Sequence, residues 1–197
     1  MTSASNTGKN SGSFYFLRQD LFDATNIIEV SGHTEETGKY LWTEGVRFAE
    51  PVPVQTLELD AEYGTEMADF FDTTIPLMSE RLIKALMAAG VDNFDAYPMI
   101  LQRSDTGEKR TDYKAMNFIG RIDAIDRANS DCEEDDLGAL ECSGSITIDS
   151  KRVGDAICFR LLDGPDLLVI HEKIARELRK QKFAALLIQK TQDYDGD

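Results

Sequence analysis

A chain of 197 residues with 42% hydrophobic and 29% charged residues is long enough to bury a sizeable core and has an ordinary globular composition. Its formal net charge of −15 repels nucleic acid, which argues against such a partner. No apolar run approaches the ~18 residues of a membrane span, so a membrane partner is not expected either. Three cysteines, Cys132, Cys142 and Cys158, are odd in number and lack CxxC spacing. They predict no disulfide framework and fit a reducing cytoplasm.

In chain order, the polar stretch from Met1 to Ser13 has no apolar segment of a secretory leader and reads as a disordered tail. Phe14–Leu17 and Ile27–Val30 are short strand candidates. Residues 33–45 are polar and turn-rich, with Trp42 as the one large anchor. Val52–Leu59 alternates like a strand, which Pro51 and Pro53 restrict to a sheet edge or to a late start. Met67–Phe71 reads as a helix of one or two turns. Together these elements predict a smaller, strand-rich N-terminal lobe over residues 14–74.

The next stretch carries helix signals at both ends. Ser79 is placed as N-cap, Met78 and Ile83 have the spacing of a hydrophobic staple, and Glu80 sits at the positive end of the dipole. Leu82, Leu86 and Ala89 form an apolar stripe, and Gly90 supplies the stop. Extended runs Phe94–Gln102 and Tyr113–Ile122, joined through Asp105-Thr-Gly107, predict an antiparallel hairpin or meander. Asp131–Asp136 reads as a solvated loop, and 146–148, 156–162 and 167–170 as short strands. A basic helix over 172–181, a buried strand over 184–189 and an acidic tail over 193–197 close the chain. Strands with inserted helices, without strict alternation, predict an α+β domain over 75–192. It should be a mostly antiparallel sheet with two or three packed helices.

The order of these pieces resembles the Myxococcus-type immunity proteins of bacterial polymorphic toxin systems, formerly a domain of unknown function. The resemblance is carried by Pro76-Leu-Met-Ser79-Glu-Arg-Leu82, Tyr97-Pro-Met-Ile-Leu101, Tyr113-Lys-Ala-Met-Asn117 and Asp123-Ala-Ile-Asp126 with Ser130. Ile157-Cys-Phe-Arg-Leu161 and Leu168-Val-Ile170, leading into Lys173–Gln181, complete it. It covers residues 75–190. The glycine usual in that family before the last strand is absent, and Lys182-Phe-Ala-Ala185 stands there instead. The resemblance implies a cytoplasmic, non-catalytic protein that binds and neutralises a cognate toxin. Many such toxins are nucleases with basic substrate clefts.

No GxSxG, HExxH or P-loop is present. His33 lies in a polar loop, and His171 stands at the cap of the last helix. Asp123 and Asp126 have the spacing of turn-capping carboxylates. An enzyme built on Asp123, Asp126 and His171 is the alternative reading, and a self-associating adaptor or homodimer is another. Asp131, Glu133 and Asp135 have calcium-loop spacing, but Asp136 replaces the required glycine and Cys142 the twelfth-position glutamate. No metal or other cofactor is predicted. Lys173, Arg176, Arg179, Lys180 and Lys182 crowd one helix, whose C-terminal dipole favours cations.

Charge is uneven along the chain. Residues 20–72 hold 13 acids against 2 bases, and residues 128–171 hold 10 against 3. Two acidic sectors thus flank a neutral scaffold. The candidate partner-binding residues are Glu35, Glu36, Glu58, Asp60, Glu62, Glu133, Glu134, Asp135 and Asp136, dense in sequence and without a basic neighbour beside them.

Overall fold

The computed structural model describes residues 12–22, 25–31, 39–62, 64–136 and 139–196. The expected tail over 1–13 lies outside these except for Gly12 and Ser13. Ser13 is tied down: its N–H donates to Glu172 Oε2 at 3.1 Å, and its carbonyl accepts from Glu172 N at 2.8 Å.

Strand β1, Phe14–Gln19, begins with four buried residues. Alternate side chains of a strand point to opposite faces. Tyr15 and Leu17 therefore enter one core cluster, and Phe14 and Phe16 another. A strand apolar on both faces must be covered on both, so it belongs inside a sheet. It pairs antiparallel with β13 (Leu168–His171) on one side and β14 (Leu186–Lys190) on the other. Strand β12 (Cys158–Leu161) follows β13, and β9 (Arg121–Ile122) ends this five-stranded sheet by pairing parallel to β12.

The second large sheet draws on β2 (Glu29–Ser31), β3 (Gln55–Asp60), β4 (Phe70–Phe71), β5 (Leu77–Ser79), β6 (Phe94–Arg103), β7 (Lys109–Arg110) and β8 (Tyr113–Phe118). Its order is β2-β3-β6-β8-β5-β4, with β7 also on β6, and β3 runs parallel to β6. A separate hairpin joins β10 (Cys132–Glu134) to β11 (Leu140–Cys142). The helices among the described residues are α1 (Glu80–Ala88), α2 (Ser150–Val153) and α3 (Glu172–Leu178).

The α+β class stands, and the antiparallel hairpin β6–β8 is as expected. The mostly antiparallel sheet is corrected, because each large sheet contains a parallel pair. The separate N-terminal lobe is corrected too. The described strands of residues 14–74 build no sheet of their own: β1 lies within the C-terminal sheet, β3 pairs with β6, and β4 with β5. Burial is the reason, since each of these strands completes the cover of its apolar face with residues beyond 75. The expected helix at Met67–Phe71 does not form: Phe70 and Phe71 are strand β4 and enter opposite clusters, a period of two. The prolines act as anticipated by delaying β3 to Gln55.

Helix α1 follows its sequence signals closely. Ser79 Oγ accepts from Leu82 N at 3.2 Å, and both staple residues, Met78 and Ile83, are buried. At the other end Gly90 adopts φ 100°, donating to Met87 O while Val91 N reaches Leu86 O, each at 3.0 Å. That is a complete Schellman ending, sealed by the buried pair Val91 and Leu86. Leu82 and Leu86 pack with Ile174 and Leu178 of α3 in the cluster shared by both large sheets. A second cluster lies under an irregular strap, residues 39–54, pinned by Tyr40 and Trp42 over β3, β6 and β8. A third covers the outer face of the five-stranded sheet with Ala124, Ile125, Ile146 and Val153.

One buried carboxylate joins these parts. Asp69 accepts from Ser79 Oγ at 2.5 Å, from Ala184 N at 2.8 Å and from the guanidinium of Arg81 through two nitrogens. It thereby ties β4, the start of α1 and the approach to β14 together. The last strand starts at Leu186 and is entered through Ala185, whose φ of 49° is left-handed, a conformation that suits glycine. This is the segment where the expected family glycine is missing.

Candidate functional site

The acidic hairpin β10–β11 is the first candidate surface. It was expected as a loop. Cys132 faces Cys142 in the strand register, and their sulfurs are joined in a disulfide across 10 residues of sequence. This corrects the expectation that the cysteines stay unpaired. Sequence spacing misses the pair because only the hairpin register brings the two together. Cys158 is buried as predicted, and burial pushes its thiol up to about 12, so it stays protonated. Beside the disulfide, Glu133 stands directly opposite Glu141.

Like charges directly opposite on a sheet destabilise it. The pattern recurs on the second acidic sector, where Glu29 of β2 faces Asp60 of β3. Glu58 is exposed on the same strand, and Glu62 is exposed beside it, its N–H donating to Asp60 Oδ1 at 2.9 Å. Glu29 and Glu141 were missed in the sequence reading, which had no register to place them opposite another acid.

Of the remaining candidates, Glu133, Glu134 and Asp136 are exposed, and Asp135 is half-buried, its Oδ1 accepting from Ala139 N at 2.7 Å. Glu134 has a basic partner, contrary to expectation: Arg127 reaches it from seven residues back and also pairs with Asp163 at 3.1 Å. Glu35 and Glu36 lie outside the described residues, as does His33.

The residues of the enzyme reading each have a separate structural task. Asp123 pairs with Arg152 at 2.8 Å, and Asp126 caps the short 3-10 turn Arg127–Asn129 by accepting from Ala128 N at 3.2 Å. His171 Nδ1 accepts from Lys173 N at 3.2 Å and caps α3. Burial lowers the pKa of His171, which keeps the ring neutral and Nδ1 free to accept. No hydrogen bond or ion pair links the three. Two of the cations in and after α3 are likewise engaged: Arg176 pairs with Glu172 at 3.8 Å and Lys180 with Glu177 at 2.7 Å. Arg179 lies over the Tyr15 ring at 4.7 Å and donates to Ile188 O at 2.9 Å, covering a carbonyl on the edge strand β14. Among the described residues no group of three or more His, Cys, Asp or Glu is arranged to hold a metal ion. No helix among them is long and apolar enough to cross a membrane.

The second candidate surface is a cleft of about 470 Å³ between the strap and the five-stranded sheet. Its lining includes Arg18 from β1, Tyr40, Leu41 and Trp42 from the strap, Asp72 after β4, and Asp166 before β13. Burial pushes the Asp72 carboxyl up to about 6, although Arg160 and Arg18 pull it down. Neither the Asp72 nor the Asp166 carboxylate accepts a hydrogen bond or close ion pair from another described residue. The Arg160 side chain lies behind Asp72, almost fully buried, with Nη1 donating to the carbonyls of Pro165 and Asp166 at 2.7 and 3.1 Å.

A family model described as "Immunity protein family (Imm11)" matches residues 16–193. The chain belongs to this immunity protein family. The match runs through β1, β2 and β3 as well as the C-terminal elements, in keeping with sheets that mix both halves of the chain. No curated protein matches the chain. Within this Imm11 member, the residues that carried the sequence resemblance serve mainly as joints. Ser79 caps α1, Arg81 grips Asp69, and the Tyr113 hydroxyl donates to Ala68 O at 2.7 Å. Asn117 Nδ2 holds the strap at Val46 O, 2.8 Å away, and Arg160 holds the turn before β13.

Proposed function

We propose that the protein is an immunity protein that binds a cognate bacterial toxin domain directly and suppresses it without chemistry of its own. Membership of the immunity family over nearly the whole chain carries this reading. The acidic sectors support a role for charge in docking. Glu133 opposite Glu141 and Glu29 opposite Asp60 cost the isolated fold stability. A cationic surface laid across them relieves that repulsion. A nuclease, whose substrate cleft is basic, is the toxin class that best suits a −15 partner. Such a meeting takes place in the producing cell's cytoplasm, where a reducing pool would hold Cys132 and Cys142 as thiols.

The test is co-expression with the toxin domain encoded beside this chain, followed by association kinetics at two salt concentrations. A direct complex is expected, with association slowed by salt. Reversing Glu58, Asp60, Glu62, Glu133 and Glu134 together to lysine should slow association and flatten its salt dependence while the fold persists. Single rim charges contribute only ~0–1 kcal/mol, so a cluster is the fair perturbation. Full protection from the toxin with no physical complex refutes direct inhibition. A complex indifferent to salt leaves the immunity role and removes the electrostatic account.

A further inference from the structure

The cleft between the strap and β1 has more polar groups than its fold uses. Native proteins pair most of their buried polar atoms, so those left over at a cavity mark a place for something else. Asp72 and Asp166 line the cleft with no described donor on either carboxylate. Trp42, only 2% exposed, forms part of the wall. The guanidinium in the lining, Arg18, is held over the Tyr194 ring at 5.6 Å and makes no ion pair within reach of either acid. Two carboxylates against one guanidinium leave the lining acidic. At the rim Leu41 is 63% exposed, an apolar side chain beside a charged pocket.

We propose that this cleft receives a lysine or arginine side chain carried on an extended segment of a protein partner. The cation meets Asp72 and Asp166, and Leu41 closes over the segment. The net charge of −15 attracts a basic partner to this face. The proposal deepens the immunity reading by naming the surface and the partner's chemistry, and it relies on that reading only for the partner's identity. Its pH dependence follows from the groups around Asp72. Arg160 on β12, Arg18 on β1 and Asp166 in the turn before β13 face the carboxyl, and burial outweighs both arginines. The cation needs the ionised form, so binding is present above about pH 6 and is lost as pH falls through that value.

Trp42 is the single tryptophan of the chain, so intrinsic fluorescence reports on the cleft itself. The experiment titrates the full-length protein with acetyl-Gly-Arg-Gly-amide, and with acetyl-Gly-Glu-Gly-amide as control. A saturable change with the arginine peptide at pH 7.5 is expected, about tenfold weaker at pH 5, where Asp72 is mostly protonated. The glutamate peptide should produce none. Asp72→Asn, with its fold verified by thermal melting, should remove the response; Asp166→Asn should weaken it severalfold. An equal response to the glutamate peptide, no response to the arginine peptide, or responses unchanged in both variants overturns the proposal. The two readings fail separately. A peptide response without a toxin complex defeats the immunity reading alone, and a toxin complex without a peptide response defeats the cleft alone.

Discussion

Replacing Asp69 with alanine tests the joint on which the two parts of the chain depend. The carboxylate, 8% exposed, accepts from Ser79 Oγ, Ala184 N and Arg81. Its loss leaves a hydroxyl, an amide and a guanidinium without their acceptor. Hydrogen bonds to a charged group are worth ~1.5–3 kcal/mol each, and breaking a buried pair costs ~3–5 kcal/mol. Arg81 is 54% exposed, so water screens its share to roughly 1 kcal/mol or less. The expected cost of Asp69→Ala is therefore ~3–5 kcal/mol, a large part of a typical ~5–15 kcal/mol total. Asp69→Asn, which keeps one acceptor, should cost less, and Arg81→Ala about 1 kcal/mol. Urea unfolding followed by circular dichroism and Trp42 fluorescence measures all three, and the two probes should shift together. A cost below ~1 kcal/mol for Asp69→Ala refutes the argument. An equal cost for Arg81→Ala refutes the assignment of most of the energy to the two buried donors.

Leu82→Ala should cost ~2–5 kcal/mol by opening a cavity in the cluster shared by the sheets and α1, as chemical denaturation would show. Replacing Cys132 and Cys142 together by serine should lower stability under oxidising conditions by about 3 kcal/mol, the loop-entropy value for a separation of 10, and by little in reductant. Asp72→Asn should stabilise the protein at pH 7. The folded pKa is raised from 3.8 to about 6, so native Asp72 binds the proton more tightly, and stability falls as pH rises across that window. Removing the charge should recover up to ~3 kcal/mol above pH 6 and flatten the profile between pH 4 and 6, which melting curves across pH would reveal. Ala185→Gly should be neutral or mildly stabilising, within ~1 kcal/mol, because it relieves a left-handed φ of 49° at the expense of unfolded-state entropy. A loss above that value in the same denaturation assay contradicts the backbone account.

What could be read from the chain alone is what neighbours in sequence decide. Ser79, Met78, Ile83 and Gly90 set both ends of α1, since a cap and a Schellman turn involve residues only a few positions apart. The β6–β8 hairpin was legible from alternation around a turn, and the role of His171 from its place before a helix. The order of motifs was enough to recognise the immunity family that the whole-chain match bears out. Tertiary structure decided the rest. Phe14–Leu17 reads as any short apolar strand, and only burial on both faces places it between β13 and β14. Phe70 and Phe71 have too short a run for periodicity to separate strand from helix. The disulfide and the opposed acids Glu133 and Glu141 exist only once a hairpin register is set. The cleft gathers Arg18, Trp42, Asp72 and Asp166 from four segments whose separation in sequence carries no pattern. Local signals report on backbone groups that must be satisfied within a turn or two. Sheet order, register and cavities follow from where apolar faces far apart in sequence find mutual cover, and that is settled only by the folded whole.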